Sequence, residues 1–345
     1  MEPITHISPE TPRAPQSSWK DLLFRFRYLA VILVIAGGLF YLGAVRHQID
    51  ILNPFASNNS GNPLPILTPD PDYAMPASDP NRINILIMGI RGLNDPDASD
   101  GGPLLTDSIQ IFSYDKTTHA SSLISIPRDL WVTVHDGVKD KVNTVYEYGF
   151  YHSSNSLQFA KDKFSEISGV YINQIVVFDF SSFKEIVDAL GGVDVTLAVP
   201  FDEPKEWGFD FHLPAGLNHL DGTNALYYAR SRYSSTDFDR SKRQQQIMFA
   251  IKDKLLQLHF LSDPVRSFSI LTLIRSDIKT DIGVWNFSEL LDLVNQVKFD
   301  QIKKNIISTD NLVDQSTDAS TGAYILLPKG GTLGGIKQLF QNSLK

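Results

Sequence analysis

The stretch YYARSRYSSTDFDRSKRQQQ, residues 227–246, sets Arg230, Arg232, Arg240, Lys242 and Arg243 against only two acids, Asp237 and Asp239. The chain as a whole carries a net charge of -8, so this local excess of positive charge runs against the trend. Ser234, Ser235 and Thr236 offer helix caps, and Ile247, Ile251, Leu255 and Leu258 then recur at helical spacing. At about 100° per residue, Arg240 and Gln244 fall on the N-terminal end of that apolar stripe. Arg243 sits on its flank and Lys242 points away. Arg230 and Arg232, two apart, share one face if the chain between them is extended. An arginine in a first turn opposes the helix dipole, and one facing the core needs a partner. Two readings fit. The forked donors grip a polyanion, with phosphate the best match, or they form a buried ion-pair network with Asp107, Asp129 or Asp239.

Acids at strand ends stand beside this stretch: Asp107, Asp129 and the loop group Asp95, Asp97 and Asp100. A divalent cation sharing a diphosphate needs one or two such carboxylates plus phosphate oxygens. An ion pair with Arg128 or a cap also accounts for Asp129, and turn formation accounts for the loop acids. Composition removes other chemistry. With no cysteine there is no thiol catalysis, disulfide or cysteine-bound zinc. A pI near 5.5 and so local a basic cluster argue against nucleic acid as a partner. No G-x-S-x-G elbow, P-loop or H-E-x-x-H pattern occurs, and the eight histidines show no metal spacing. The glycines of 330–335 read as a helix cap, and the aromatic residues of 146–151 as core.

The elements that must position these groups read in order along the chain. Residues 1–27 form a polar, proline-bearing tail. Residues 28–45 are uncharged for 18 positions and bracketed by Arg27 and Arg46, enough for one transmembrane helix. Arg13, Lys20, Arg25 and Arg27 precede it, so the N-terminus is expected in the cytoplasm and the rest outside. Residues 46–82 read as a proline-rich extracytoplasmic linker. From residue 83 to 345 the pattern is α/β. INILIMGI has the continuous apolar run of a strand buried on both faces, followed by DSIQIFSY, ASSLISI and a short LWVTV. The stretch 142–169 is helical in two pieces, NQIVVFDF a strand, SSFKEIVDALGG a helix, VDVTL a strand, and DGTNALYYAR a helix delivering Arg230. Beyond residue 259 come helices at 264–275 and 286–297, strands at 302–308 and YILLP, and a last helix at 334–344. Strands alternating with helices predict an αβα sandwich around a central mixed sheet, with 302–345 completing the sheet.

The motifs INILIMGI, LLTDSIQIFSYD, LISIPRDLWV, KVNTVYEYG, FKEIVDALGGVDV, LNHLDGTNALYYARSR and DFDRSKRQQQ, in this order, resemble the LytR–CpsA–Psr (LCP) proteins of bacterial envelopes. The resemblance spans about 83–258 and includes an anchor in the same place. It implies a membrane-bound phosphotransferase that moves a glycopolymer phosphate from a polyprenyl-diphosphate-linked glycan to peptidoglycan. It also implies Mg²⁺ (or Mn²⁺) and an apolar groove for the lipid. Carried over by motif, Arg128, Arg230, Arg232, Arg240 and Gln244 hold the phosphates, with Arg243 beside them. Asp107 and Asp129 join Arg128 as catalytic candidates, and Asp107 is the metal-site acid. Lys141 and Asn143 of KVN are weaker candidates. The sequence departs from the family pattern in two places. Many members have G-x-D after the first strand where this chain has Gly89-Ile90-Arg91, and Arg-Ser-Asp where it has Leu105-Thr106-Asp107. Asp100, with Asp95 and Asp97 as the alternatives, is expected to replace the missing carboxylate, and Arg91 to add a phosphate contact. Two other readings remain: a glycan pyrophosphatase and a lipid-diphosphate-binding regulator.

Overall fold

Strand β1 (Arg82–Ile90) is apolar nearly throughout because both of its faces are covered. Leu86, Met88 and Ile90 point into one buried cluster, while Ile83, Ile85 and Ile87 point into another on the opposite face. The computed structural model describes residues 74–93, 95, 102–257, 278–282, 293 and 296–345. The tail, the 28–45 span, residues 46–73 of the linker, the helix expected at 264–275 and most of that at 286–297 lie outside them. Among the described residues no helix is long and apolar enough to cross a membrane.

Strands β2 (Thr106–Asp115) and β3 (Ser121–Ser125) follow β1 as antiparallel neighbours. Next comes a hairpin of β4 (Trp131–His135) and β5 (Val138–Lys141). The sequence reading stopped at β4 and missed its partner. The signal was present in Asp136-Gly137, whose φ angles of 40° and 80° suit a two-residue hairpin turn. Helices α1 (Val145–His152) and α2 (Ser156–Ser168) lead to β6 (Gln174–Phe178) and α3 (Phe180–Ala189). Then come β7 (Val193–Leu197), β8 (Phe201–Glu203), β9 (Phe211–Leu213), β10 (Gly216–Leu220), α4 (Gly222–Arg230) and α5 (Asp237–Gln257). Beyond these lie β11 (Lys279–Thr280), β12 (Lys303–Ile306), β13 (Val313–Thr317), β14 (Tyr324–Pro328) and α6 (Gly334–Asn342).

The central sheet has the order β11-β6-β1-β2-β3-β12 and is mixed: β6 runs parallel to β1 and β12 parallel to β3, with the other pairs antiparallel. The expected strand VDVTL forms as β7, but it pairs with β10 outside this sheet. Helices α1, α2 and α6 pack their apolar sides on one face through Val145, Phe164, Ile167, Ile336 and Phe340. Helices α3, α4 and α5 close a separate core with the β7–β10 and β8–β9 pairs, built on Phe183, Val187, Val195, Leu220 and Ile247. Glycine is required where α4 meets α3, since a Cβ on Gly222 would lie 2.3 Å from the Lys184 carbonyl oxygen.

The segment after residue 302 belongs to the same compact unit, Leu67–Lys345. β12 extends the sheet, the strand YILLP forms as β14 but pairs with β13 outside it, and α6 is tied to the start of β1. The Arg82 guanidinium donates to the Phe340 carbonyl at 2.8 Å and reaches Asn84 and Ser113 on β1 and β2. Phe340 is completely buried in the main core. Phe340→Ala is therefore expected to lower unfolding free energy by about 3–5 kcal/mol, measured by urea denaturation. A loss under about 1 kcal/mol would mean that α6 is peripheral to the core.

Candidate functional site

The site forms where β1 and β6 end, β2 begins and β3 runs out. Strands β2 and β3 pair with Gln110 opposite Ser125, and continuing that register three residues places Asp107 opposite Arg128. Their side chains meet: Arg128 Nη1 donates to Asp107 Oδ1 at 2.6 Å. Pro127 ends β3 in a turn that holds Arg128, with the Leu130 amide donating to the Pro127 carbonyl. The β5 end is fastened beneath this turn. Asn143 donates its amide to the Arg128 carbonyl, and Thr106 Oγ1 donates to the Asn143 carbonyl at 3.1 Å.

Two further arginines arrive from α4. Arg230 is its last residue, and its guanidinium lies 4.0 Å from the Phe180 ring and 5.2 Å from the Trp207 ring. Such stacking aims a guanidinium without using its hydrogen-bond donors. Arg232 follows, its amide donating to Glu206 at 2.5 Å. Helix α5 then starts with a reciprocal cap. The Asp239 amide donates to Thr236 Oγ1 at 3.1 Å, while Thr236 donates its amide and hydroxyl back to Asp239 Oδ2. That start fixes Arg240 and Gln244 one turn apart on the helix face carrying Ile247 and Ile251.

These groups line one cavity of about 880 Å³. Arg91, Arg128, Arg230, Arg232 and Arg240 border it, against Asp95, Asp107 and Glu206 among the described residues. Farther along α5 the lining turns apolar, with Ile247, Met248 and Ile251 joined by Phe183 and Leu226. Arg240 is only 5% exposed, it stands 3.5 Å from Asp237, and its Nε has no hydrogen-bond partner among the described residues. A buried guanidinium left so incompletely paired is costly unless a ligand completes it.

The charges are mutually tuned. Burial pushes the Asp107 carboxyl up, but Arg128, Arg240 and Arg230 outweigh it and hold the group below the usual carboxylate range. Burial lowers Arg240, and the like charge of Arg128 lowers it further, with Asp237 and Asp107 opposing. Burial likewise lowers Arg230, offset by Asp107. For Arg128 the order of outcomes reverses: burial alone would lower it, but Asp107, Asp237 and Asp129 together raise it.

The model of the LytR_cpsA_psr family matches residues 56–332. The chain belongs to this family. Among relatives, the polyisoprenyl-teichoic acid–peptidoglycan teichoic acid transferase TagU of Enterococcus faecalis is 29% identical over 242 residues, 68% of this chain and 74% of its own. The regulatory protein MsrR of Staphylococcus aureus is 29% identical over 208 residues, 60% of this chain and 58% of its own. The crystal structure of Bacillus subtilis TagV shares the fold, with a TM-score of 0.59 at 24% identity over 76% of this chain and 97% of that one.

In this LytR–CpsA–Psr chain the cavity collects Arg91, Asp107, Arg128, Arg230, Arg232, Arg240 and Gln244 from the sequence reading. Arg243 is a correction. It is buried and turned away from the cavity, its Nε donating to the Tyr228 carbonyl at 2.8 Å, Nη1 to Ser235 at 3.0 Å and Nη2 to the Ser231 carbonyl. It clamps the α4–α5 turn, because its flank of the helix faces those backbone carbonyls. Asp129 is a second departure, since it does not line this cavity. It is 6% exposed, receives Lys141 Nζ at 2.7 Å and stands 3.6 Å from Arg128 Nε. Asp100 lies outside the described residues. Asp237 was read only as part of a cap region, yet it lies 3.4 Å from Arg128 Nε and 3.5 Å from Arg240. Its i,i+3 spacing from Arg240 was the available signal. Phe180, Trp207 and Glu206 were also missed, and nothing local in the sequence marks them.

The lowered Asp107 value has a pH consequence. A carboxyl whose folded value is depressed adds stability above its unfolded value, near about pH 4, and loses it as pH falls through the folded value. In EDTA, wild type is thus expected to exceed Asp107→Asn in urea stability at pH 6–7, with the gap closing below about pH 4. A gap independent of pH would show that the Asp107 charge is not what Arg128 holds.

Proposed function

We propose that this chain is a membrane-anchored phosphotransferase that moves a glycopolymer phosphate from a polyprenyl-diphosphate carrier to peptidoglycan. The observation that carries this reading is the cavity's change of character along α5. A diphosphate suits the arginine end, where Arg240 is buried with Nε unpartnered, and a polyprenyl tail suits Ile247, Met248 and Ile251. An isolated ion-pair network would not need the adjoining apolar length. Family membership supports the reading, since the Enterococcus faecalis relative bears the name of a teichoic acid transferase. Anchoring through 28–45 sets the arginines on the side of the membrane where lipid-linked donors are met.

The chemistry asks little covalent help from the protein. The oxygen of an acceptor hydroxyl bonds to the sugar-bearing phosphorus, and the bond from that phosphorus to the bridging oxygen breaks. Polyprenyl phosphate leaves with the electron pair, and the hydroxyl proton passes to a carboxylate beside Arg128. Charge neutralisation and positioning by Arg128, Arg230, Arg232, Arg240 and Gln244 supply the catalysis. Arg91 adds a further cation to the lining. A Mg²⁺ or Mn²⁺ ion shared with the diphosphate fits Asp107, with Asp95 as the second carboxylate of the cavity, and would neutralise phosphate charge. Phosphate oxygens of the bound diphosphate would complete the coordination of such an ion.

The test uses the full-length chain in detergent with a labelled polyprenyl-diphosphate glycan, peptidoglycan oligomers and Mg²⁺. Label is expected to become covalently attached to peptidoglycan, with kcat/KM falling about 10²–10³-fold in Arg230→Ala and in Arg240→Ala. Label released only as free glycan phosphate would identify a pyrophosphatase. Tight lipid binding without either product would identify a regulator, the role in the name of the Staphylococcus aureus relative.

A further inference from the structure

Arg128 borders two cavities. Its Nη1 faces Asp107 in the large one, while its Nε faces Asp237 at 3.4 Å and Asp129 at 3.6 Å in a second cavity of about 400 Å³. That volume falls within the ~300–1,000 Å³ range of small-molecule sites. Lys141, Thr236 and Phe238 also line it, and a further wall comes from the far end of the chain. On the β13–β14 hairpin, Gln315 pairs with Leu326 and Thr317 with Tyr324, so Gln315, Tyr324 and Leu326 lie on one face, and all three line this cavity. The hairpin is fastened to the acid it faces: the Leu326 amide donates to the Asp129 carbonyl at 2.9 Å. Arg128 Nε is buried and makes no hydrogen bond among the described residues.

We infer that this second cavity is the acceptor site, taking the sugar of a neutral, hydroxyl-rich amino-sugar oligosaccharide with its reacting hydroxyl against Asp129 and Asp237. The inference rests on the transfer reading above. Two carboxylates side by side reject a second anion, and Lys141 and Arg128 beside them leave a metal little to gain. Sugar hydroxyls, by contrast, both donate and accept. Asp129 and Asp237 accept from them, while Lys141 and the Gln315 amide donate. Tyr324, 45% exposed, offers an aromatic face for sugar C–H groups. Burial, then the charges of Asp129 and Asp237, raise its phenol, which stays protonated as a donor. The position matters as much as the lining. Arg128 lines both cavities, so an acceptor hydroxyl here and a phosphate in the large cavity would share its guanidinium. The hairpin thereby acquires a role beyond packing: it selects the acceptor.

The probe is a tetrasaccharide of alternating N-acetylglucosamine and N-acetylmuramic acid whose lactyl carboxyls are amidated, so that it is uncharged, with the full-length chain in detergent. Acceptor KM is expected to rise about tenfold or more in Tyr324→Ala and Gln315→Ala, with donor KM within about twofold. Tyr324→Phe, which keeps the ring, should recover most of the acceptor affinity. An acceptor KM within about twofold of wild type in both alanine variants, or equal rises in donor and acceptor KM, overturns the site. Should the wild type transfer nothing, saturation-transfer NMR of the tetrasaccharide still decides. Contacts seen with wild type and lost in Tyr324→Ala uphold the cavity as a saccharide site, whereas no contacts with wild type, or contacts unchanged in the variant, refute it.

Discussion

The ion pair between Arg128 and Asp107 is the interaction on which the site depends. Guanidinium groups brought together in a partly desolvated cavity repel one another far more strongly than in water. Arg128, Arg230 and Arg240 all act on Asp107, and its negative charge is what allows them to converge. Asp237 serves the same end from the other side, between Arg128 and Arg240. The compensation is partial: Arg240 remains buried with Nε unpartnered. A site left in this condition is preorganised for negative charge, since its donors need not be gathered when a phosphate arrives.

The scaffold delivers these groups by register rather than by loop adjustment. The β2–β3 pairing sets Asp107 opposite Arg128, and the α5 cap at Thr236 sets the phase in which Arg240 and Gln244 face inward. Because α5 continues for 21 residues, the same face passes from arginine to isoleucine without interruption. One amphipathic helix therefore presents both an arginine end and an apolar length to the same cavity. Arg243, three residues beyond Arg240, makes this geometry durable by filling the carbonyls of the α4–α5 turn that would otherwise be unsatisfied. Two arginines in one turn thus have opposite duties, one held open to the cavity and one consumed by the backbone.

Much of this was legible in the residues. The apolar run of β1, the two helices of 142–169, the glycine-ended helix of FKEIVDALGG and the inward phase of Arg240 and Gln244 follow from periodicity and capping, which act over a few residues. The β4–β5 hairpin was equally local, and its Asp136-Gly137 turn was overlooked. Family motifs gave Arg128 and Asp107 their roles, but no spacing reveals their proximity: they are 21 residues apart and meet only through strand pairing.

What the sequence by itself determined is therefore the element order, the α/β class and the cluster of groups able to hold a diphosphate. Only the tertiary structure decided which charge each arginine answers. It committed Arg243 to carbonyls, brought Phe180 and Trp207 over and beside Arg230, and turned Asp129 away from the large cavity toward Lys141, Asp237 and the β13–β14 hairpin. The physical reason is range. Helix phase and caps are settled by neighbours along the chain. The desolvation and pairing of a charge depend on whatever long-range packing sets beside it.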